Sequence, residues 1–352
     1  MTSRLARLSA AGLFAAACGG ASDAALTTTV RDSAGIRIVE NRGAPPPLGW
    51  SVNAQPALDI GAQGPGTELY QVMAAVRTPR GQIIVANAGT SQVRIYSPDG
   101  RLVRSTGRRG SGPGEFESLF WVGALPGDSI AAWDAGLGRL TVLSPAGDVV
   151  RVVTPREPLG MFAQAAGVLP DGRLIVAGGS APSASASPEP RVRRHTVTYT
   201  LLGRTGEASP LGRFPGTEML TMTPAGGGFL MRPLPFGRQT VVAVQNGMAV
   251  VGTADRDEVT AYEPGRGARG IVRLGAQPVP VTKDDIAAYR RSLVTLGMEG
   301  DATFQRQQEL LLDKAPYPRT MPAYTALLSD PEGISGPSIH AGPATRSRQP
   351  GR

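Results

Sequence analysis

The sequence IVANAGTSQVRIYSPDG at residues 84–100 recurs 47 residues later as AAWDAGLGRLTVLSPAG at residues 131–147. Each copy begins with a short apolar run, passes through Gly and polar residues to an alternating strand, and ends in a Ser-Pro-x-Gly turn. Pro at the second position and Gly at the fourth favour a type I turn. A third copy starts at Leu169, and a fourth covers residues 240–265. Repeats of about 40 to 50 residues with several short strands are typical of β-propeller blades.

The composition agrees with many short strands joined by turns, because Gly (46) and Pro (31) are both abundant while 41% of the residues are hydrophobic. The sequence therefore predicts an all-β fold, a β-propeller with four-stranded antiparallel blades, over residues 30–333. One stretch interrupts the blade pattern. Residues 282–314 are predicted to be a helical insertion that starts with a capping-box-like Thr282-Lys-Asp-Asp285. It is either a packing decoration on one rim or a lid.

The N-terminus has the pattern of an export signal. Two arginines precede an apolar run from Leu8 to Ala17, which is too short to span a bilayer as a permanent helix. The stretch Ala15-Ala-Ala-Cys18 resembles a bacterial lipobox, in which the cysteine is diacylated. Cys18 is the single cysteine of the chain, and a lone thiol in an export signal favours this use. We expect residues 1–18 to be a lipoprotein signal and residues 19–29 a tether in the cell envelope, periplasmic or outer-membrane; plain secretion is the alternative.

The C-terminal residues 334–352 do not continue the blade pattern. They are rich in Gly, Pro, Ser, Ala and Arg, at the point where a β-rich strand is expected. One interpretation is a frameshift that replaces the last strands of the final blade, and the other is a naturally disordered tail. If the strands are missing, the ring stays open, and the chain is then a pseudogene product that never closes into a stable propeller.

The chain resembles bacterial six-bladed β-propeller proteins related to the NHL-repeat family. The motifs that carry this resemblance are DSAGIRIVE at residues 32–40 and GRRGSGPGEF at residues 107–116. The resemblance implies six blades, with an N-terminal strand that completes the last blade. It does not imply one activity, because related proteins bind proteins, peptides or glycans, or act as lyases and lactonases.

Three side chains are candidates for a ligand or metal site at the channel mouth. Asn87 and Asp134 occupy matching positions in two repeats, and Asp255 is roughly similar in a third. Lactonase-like relatives hold Ca²⁺ with such residues, and Ca²⁺ prefers six to eight oxygen ligands. The other interpretation is that these side chains hold their turns by accepting hydrogen bonds from the backbone.

Other chemistry has little support in the sequence. Outside the tail the one histidine is His195, and no Cys/His metal spacing or Gly-x-Ser-x-Gly elbow occurs. The formal charge of +8 falls to +3 over residues 19–333 and is not concentrated on one segment, which argues against nucleic-acid binding. We expect a monomeric binding or scaffold module for an unknown protein, peptide or glycan, with no cofactor. A Ca²⁺-assisted lactonase or hydrolase is the alternative.

Overall fold

The structure, a computed structural model, describes residues 26–43, 54–61, 64, 66–180, 187, 189–223, 229–295, 302–329 and 339–341. In chain order the strands are β1 (Thr27–Ser33), β2 (Ile36–Arg42), β3 (Val72–Arg77), β4 (Ile83–Asn87), β5 (Gln92–Tyr96), β6 (Leu102–Thr106), β7 (Leu119–Ala124), β8 (Ile130–Asp134), β9 (Arg139–Leu143), β10 (Val149–Val153), β11 (Met161–Val168), β12 (Leu174–Gly179), β13 (Arg191–Leu202), β14 (Ala208–Met222), β15 (Leu230–Pro233), β16 (Val241–Gln245), β17 (Met248–Gly252), β18 (Glu258–Glu263), β19 (Gly267–Arg273), β20 (Leu327–Ser329) and β21 (Ile339–Ala341). Two helices, α1 (Lys283–Thr295) and α2 (Ala302–Asp313), separate β19 from β20.

The described strands form five sheets that follow one another along the chain. Strands β3–β6 and β7–β10 form four-stranded sheets, β11–β15 form a five-stranded sheet, and β20 pairs with β21. The remaining sheet has six strands, β16–β19 with β1 and β2 added at its outer edge. The first strands of consecutive sheets contact each other in series, from β3 through β7, β11 and β16 to β20. This is a propeller-like arrangement in which each sequence repeat is one sheet.

Both faces of the middle strands are buried between neighbouring sheets. On β8, Ile130 and Ala132 pack against the first sheet, whereas Ala131 and Trp133 pack against the third. Since successive side chains of a strand point to opposite faces, a strand with two covered faces is apolar throughout. This explains the continuous apolar run at the start of each repeat. Between the second and third sheets, the Trp133 indole N–H donates to the Ala163 carbonyl at 2.8 Å.

The repeated Ser-Pro-x-Gly segments form the tight turns that their composition predicts. The Gly100 amide donates to the Ser97 carbonyl at 2.9 Å, and Gly147 donates to Ser144 at the same distance. Both glycines have positive φ, 86° and 91°, a region that side chains disfavour.

The N-terminal strands lie where the resemblance does not place them. β1 begins at Thr27, inside the segment assigned to the tether, and pairs with β2 as a hairpin. β2 then pairs in parallel with β19, so that Ile38 faces Ile271. Ile38 is buried there, and Glu40 forms an ion pair with Arg273. The hairpin therefore extends the fourth sheet, because the free edge of β19 offers it backbone partners; it does not complete a last blade.

The signal segment 1–18 lies outside the described residues, as does most of the tail. Three residues of the predicted tail, Ile339–Ala341, form β21 and pair with β20.

Both helices lie in the segment predicted to be a helical insertion. At the start of α1, the Thr282 hydroxyl accepts from the Asp285 amide at 3.2 Å, and the Asp285 carboxylate accepts from the Thr282 amide at 2.9 Å. This reciprocal pair is the predicted capping box. Leu311 of α2 packs on Leu220, Met222 and Leu230, which belong to the extended ends of β14 and β15. The helices are thus held on a part of the third sheet that reaches beyond its neighbours.

Replacement of Trp133 tests the packing between sheets. Trp133→Ala removes a buried ring and leaves the Ala163 carbonyl without its donor, so we expect the free energy of unfolding to fall by about 3 to 5 kcal/mol. Urea unfolding followed by circular dichroism measures this loss. Phe162→Ala is the control, because Phe162 is 68% exposed, and it is expected to change stability by no more than about 0.5 kcal/mol. Equal losses in the two variants would contradict the described packing.

Candidate functional site

Asp134 is buried at the end of β8 and uses its carboxylate to hold backbone. It accepts hydrogen bonds from the amides of Glu117 (2.7 Å), Ser118 (3.2 Å), Gly136 (2.9 Å) and Leu137 (2.8 Å). The carboxylate joins its own turn to the loop that leads into β7. No lone pair faces open space, so Asp134 supports the turn.

Asn87 occupies the same position at the end of β4 and is also buried. Its side-chain oxygen accepts from the Tyr70 amide at 2.7 Å, and its NH₂ donates to the Thr90 hydroxyl at 2.7 Å. Asn87 and Asp134 thus accept hydrogen bonds from nearby backbone amides, as expected if these side chains hold their turns. Within the described residues, no three His, Cys, Asp or Glu side chains are grouped so that they could hold a metal ion.

Asp255 lies elsewhere, in the loop between β17 and β18. Asn87 and Asp134 are the last residues of β4 and β8, whereas the last residue of β17 is Gly252, which has no side chain to hold the turn that follows. This turn is held instead by Tyr324, whose hydroxyl donates to the Glu258 carbonyl at 2.7 Å and accepts from the Ala254 amide at 3.2 Å. The acid at 255 is therefore free for other contacts, and it accepts from Arg194 (2.5 Å) and Arg238 (3.0 Å).

Asp255 stands at the margin of a cleft of about 600 Å³ on this rim. The cleft lies between the loops around residues 234–238, 254–257 and 276–279 and the chain that follows α2. Its apolar lining includes Leu234, Phe236, Pro278, Val279, Met321 and Pro322, and its charged lining consists of Glu218, Arg238, Asp255, Arg256 and Asp257. A concave, mostly apolar site with a few polar groups is the usual form of a small-molecule site.

The wall formed by the chain after α2 is fixed to the rim by backbone and ring contacts. The Met321 amide donates to the Val279 carbonyl at 2.8 Å. Phe236 packs against the rings of Tyr289 and Tyr317, with centroid distances of 5.7 and 6.5 Å. The chain after α2 therefore builds one side of the cleft.

Glu218 and Arg238 form the most buried ion pair of the lining. The Glu218 carboxylate is 7% exposed, and it accepts from the Arg238 backbone amide at 2.7 Å and from its Nε at 2.9 Å. Burial by itself raises the pKa of Glu218, but the hydrogen bonds and charge of Arg238 outweigh it and lower the pKa overall. Together with Asp255 and Arg194 these groups form a closed charge network.

Asp257 is the acid of the lining that this network leaves out. One carboxylate oxygen accepts from the Ala276 amide, whereas the other, Oδ1, is buried and has no hydrogen-bond partner. Burial raises the pKa of Asp257, and the Ala276 hydrogen bond opposes this rise only in part. Asp257 also borders an adjoining hollow of about 510 Å³, which reaches Glu40 and Arg42 at the end of β2.

The sequence interpretation selected Asp255 and missed Asp257, Glu218 and Arg238. The signal available was the dense charge of Asp255-Arg-Asp257-Glu258 directly after an apolar strand. Nothing local distinguishes the acid that is paired from the acid that is not, because Arg194 belongs to β13 and Arg238 to the loop between β15 and β16.

No family model and no curated protein matches the chain. Solved structures give distant likenesses. An exported protein of Bacteroides fragilis aligns at 12% identity over 60% of this chain and 54% of its own, with a TM-score of 0.38. A member of the DUF4221 family from Bacteroides vulgatus aligns at 13% identity over 62% of this chain and 64% of its own, also with a TM-score of 0.38.

A catalytically inactive virginiamycin B lyase of Staphylococcus aureus, solved with quinupristin, aligns at 10% identity over 60% of this chain and 75% of its own, with a TM-score of 0.31. The alignment with the B. fragilis protein covers about half of that protein's length. No helix among the described residues has both the length and the apolar character needed to cross a bilayer.

The lowered pKa of Glu218 predicts a pH-dependent loss on substitution. A group whose pKa is lowered in the folded state stabilises the fold above its unfolded pKa, about 4.3 for glutamate, and stops doing so as the pH falls through the folded value. Glu218→Gln is therefore expected to lower the melting temperature at pH 7, and the difference from the unchanged protein should shrink below about pH 4. Thermal unfolding from pH 3 to 7 measures this, and a pH-independent difference would contradict it.

For Asp257 the expected change in stability on substitution has the opposite sign. Because its pKa is raised in the folded state, its ionised form opposes folding at neutral pH. Asp257→Asn removes that charge and keeps an oxygen for the Ala276 amide, so the melting temperature should stay the same or rise at pH 7. The difference should shrink as the pH falls below the raised folded pKa and vanish by about pH 3, where the carboxyl is largely neutral in both states. A clear loss of stability at pH 7 would show that Asp257 Oδ1 has a donor within the protein.

Proposed function

We propose that the chain is an exported, membrane-anchored β-propeller that binds a ligand in the rim cleft and carries out no covalent chemistry. The observation that carries the proposal is the cleft itself, which combines apolar walls with one acid, Asp257, that lacks a partner for its second oxygen. A buried acceptor without a donor is unfavourable in the free protein and becomes favourable when a ligand supplies the donor.

The other charged groups of the cleft support binding rather than catalysis. Glu218 and Asp255 are engaged by Arg238, and Asp255 also by Arg194. General acid–base catalysis needs a second titratable group within reach of the substrate. No histidine lines the cleft among the described residues, and the acids other than Asp257 hold arginines. The arrangement therefore fits recognition of a ligand.

The family assignment and the anchor belong to the same proposal. Six blades and a relation to the NHL-repeat family rest on the motifs at residues 32–40 and 107–116. The anchor rests on Cys18, which lies outside the described residues and follows three alanines. β1 starts at Thr27, so a short linker would join a lipidated Cys18 to the folded part.

Occlusion of the cleft tests the binding site. Val279 lines the cleft and is 43% exposed, so Val279→Trp should fill it without disturbing the core. A set of small fluorinated fragments is screened against the unchanged protein by ¹⁹F NMR, and the fragments that bind are then measured with the variant. We expect at least a tenfold loss of affinity for most of these fragments.

The matched control is Val103→Trp, at an exposed position on β6 that is remote in sequence and outside the cleft lining. It should leave fragment binding unchanged. If the fragments bind equally well to both variants, or if none binds to the unchanged protein, the cleft is not the ligand site.

Substitution of the single cysteine tests the anchor. When the chain is expressed with its N-terminus in a bacterium supplied with labelled palmitate, the label should enter the protein and the protein should sediment with membranes. Cys18→Ala removes the thiol to which the lipid would be attached, so both properties should be lost while the fold is retained. Label incorporation is read by gel autoradiography. Secretion of an unlabelled but normally folded protein without the substitution would support the alternative of an ordinary signal peptide.

A further inference from the structure

The chemistry of the cleft indicates which ligand it takes, and this inference rests on the function proposed above. Of the five charged side chains that line it, three, Glu218, Arg238 and Asp255, satisfy one another. Arg256 is 79% exposed and lies 4.0 Å from Glu258 at the margin. Among these five, Asp257 is the one side chain that forms no ion pair with another described residue. One of its carboxylate oxygens, Oδ1, is buried and has no hydrogen-bond partner.

An unpartnered carboxylate oxygen selects for a donor. Removal of a carboxylate from water without compensating hydrogen bonds is unfavourable, and a positively charged donor compensates it best. Asp257 lines the cleft, although its Oδ1 is buried in the free protein. Because the terminal torsion of aspartate is broad, rotation of the carboxylate presents an oxygen to a ligand in the cleft, and a cationic donor compensates for the weakened Ala276 hydrogen bond. The group that completes this site is therefore an ammonium or guanidinium.

The walls define the rest of the ligand. Phe236, Pro278, Met321 and Pro322 present apolar surface, and rigid prolines limit how far the walls can adapt. A volume of about 600 Å³ accommodates a small organic molecule or one long side chain of a peptide. The favourable contribution of this part of the site is burial of apolar area.

An anionic ligand fits less well. Arg238, the less exposed of the two arginines in the lining, already binds two carboxylates, Glu218 and Asp255. An incoming anion would have to break this network and would also meet the charge of Asp257.

We propose that the rim cleft binds an organic cation, an ammonium or guanidinium group on a compact apolar body, with Asp257 as the residue that pairs with the cationic head. The cation is either a free amine or the basic side chain of a peptide. In both cases the apolar body lies against Phe236 and the prolines.

Three probes of one shape test the charge preference. Benzylamine, benzyl alcohol and benzoate are titrated at pH 7 into the unchanged protein, Asp257→Asn and the control Asp99→Asn, and Kd is measured by ligand-observed NMR. Asp99 is exposed on the turn at residues 97–100 and does not line the cleft. We expect benzylamine to bind at least fivefold more tightly than benzyl alcohol and benzoate to bind most weakly. Asp257→Asn should bring benzylamine to within twofold of benzyl alcohol, whereas Asp99→Asn should preserve the preference.

A lysine peptide distinguishes the two sources of the cation. If acetyl-Ala-Lys-Ala-amide binds more tightly than benzylamine, the ligand is a peptide. If it binds more weakly, the ligand is a free amine. In both cases Asp257→Asn must weaken the binding of the tighter probe.

The outcomes separate this inference from the proposed function. Suppose that benzyl alcohol binds, that Val279→Trp abolishes its binding, and that benzylamine binds no more tightly than benzyl alcohol. The cleft is then a ligand site and the cation assignment is wrong. The cation assignment is also wrong if the preference for benzylamine survives Asp257→Asn or if benzoate binds best. If none of the probes binds, both proposals fail. Circular dichroism of each variant confirms that it is folded.

Discussion

The structure depends on the burial of both faces of each middle strand between two neighbouring sheets. β8 shows this constraint most clearly, because Ala131 and Trp133 face the third sheet while Ile130 and Ala132 face the first. β4 and β8 accordingly carry apolar side chains up to their last residues, Asn87 and Asp134. The cleft loops around residues 234–238, 254–257 and 276–279 lie at a rim, where the strands end.

At the rim, acids and amides have two uses. Asp134 and Asn87 end their strands and hold the following turns, with their polar atoms occupied by nearby backbone and hydroxyl groups. In the fourth sheet the hydroxyl of Tyr324 takes over the turn. This replacement leaves the loop at residues 253–257 free to carry acids that serve no turn. Asp255 pairs with Arg194 of β13 and with Arg238 of the loop before β16, and Asp257, which lines the cleft, keeps one buried oxygen unpaired.

The sequence predicts the local features well. The repeat at residues 84–100 and 131–147 predicts β4, β5, β8 and β9, and the Ser-Pro-x-Gly turns follow from the residues that form them. The capping box at Thr282 is likewise local, since its four residues contain both partners.

What the sequence does not predict depends on distant partners. β2 adds in parallel to β19 more than 200 residues later, and no local pattern encodes that pairing. β13 and β14 continue to pair at Arg191–Arg194 and Glu218–Thr221, so the third sheet is larger than its repeat indicates. The cleft needs both of these longer strands and the chain after α2. The sequence does not show that Asp255 is paired and Asp257 is not, because the ion-pair partners of Asp255, Arg194 and Arg238, are distant in the chain.

A crystal structure of the chain with benzylamine tests the central claim most directly, because it locates the cation and its partner in one experiment. The account predicts the amine nitrogen within about 3 Å of the Asp257 carboxylate, with the ring against Phe236 and Pro278 and the Glu218–Arg238 pair intact. Benzylamine bound elsewhere, or a protein donor on Asp257 Oδ1, would contradict it.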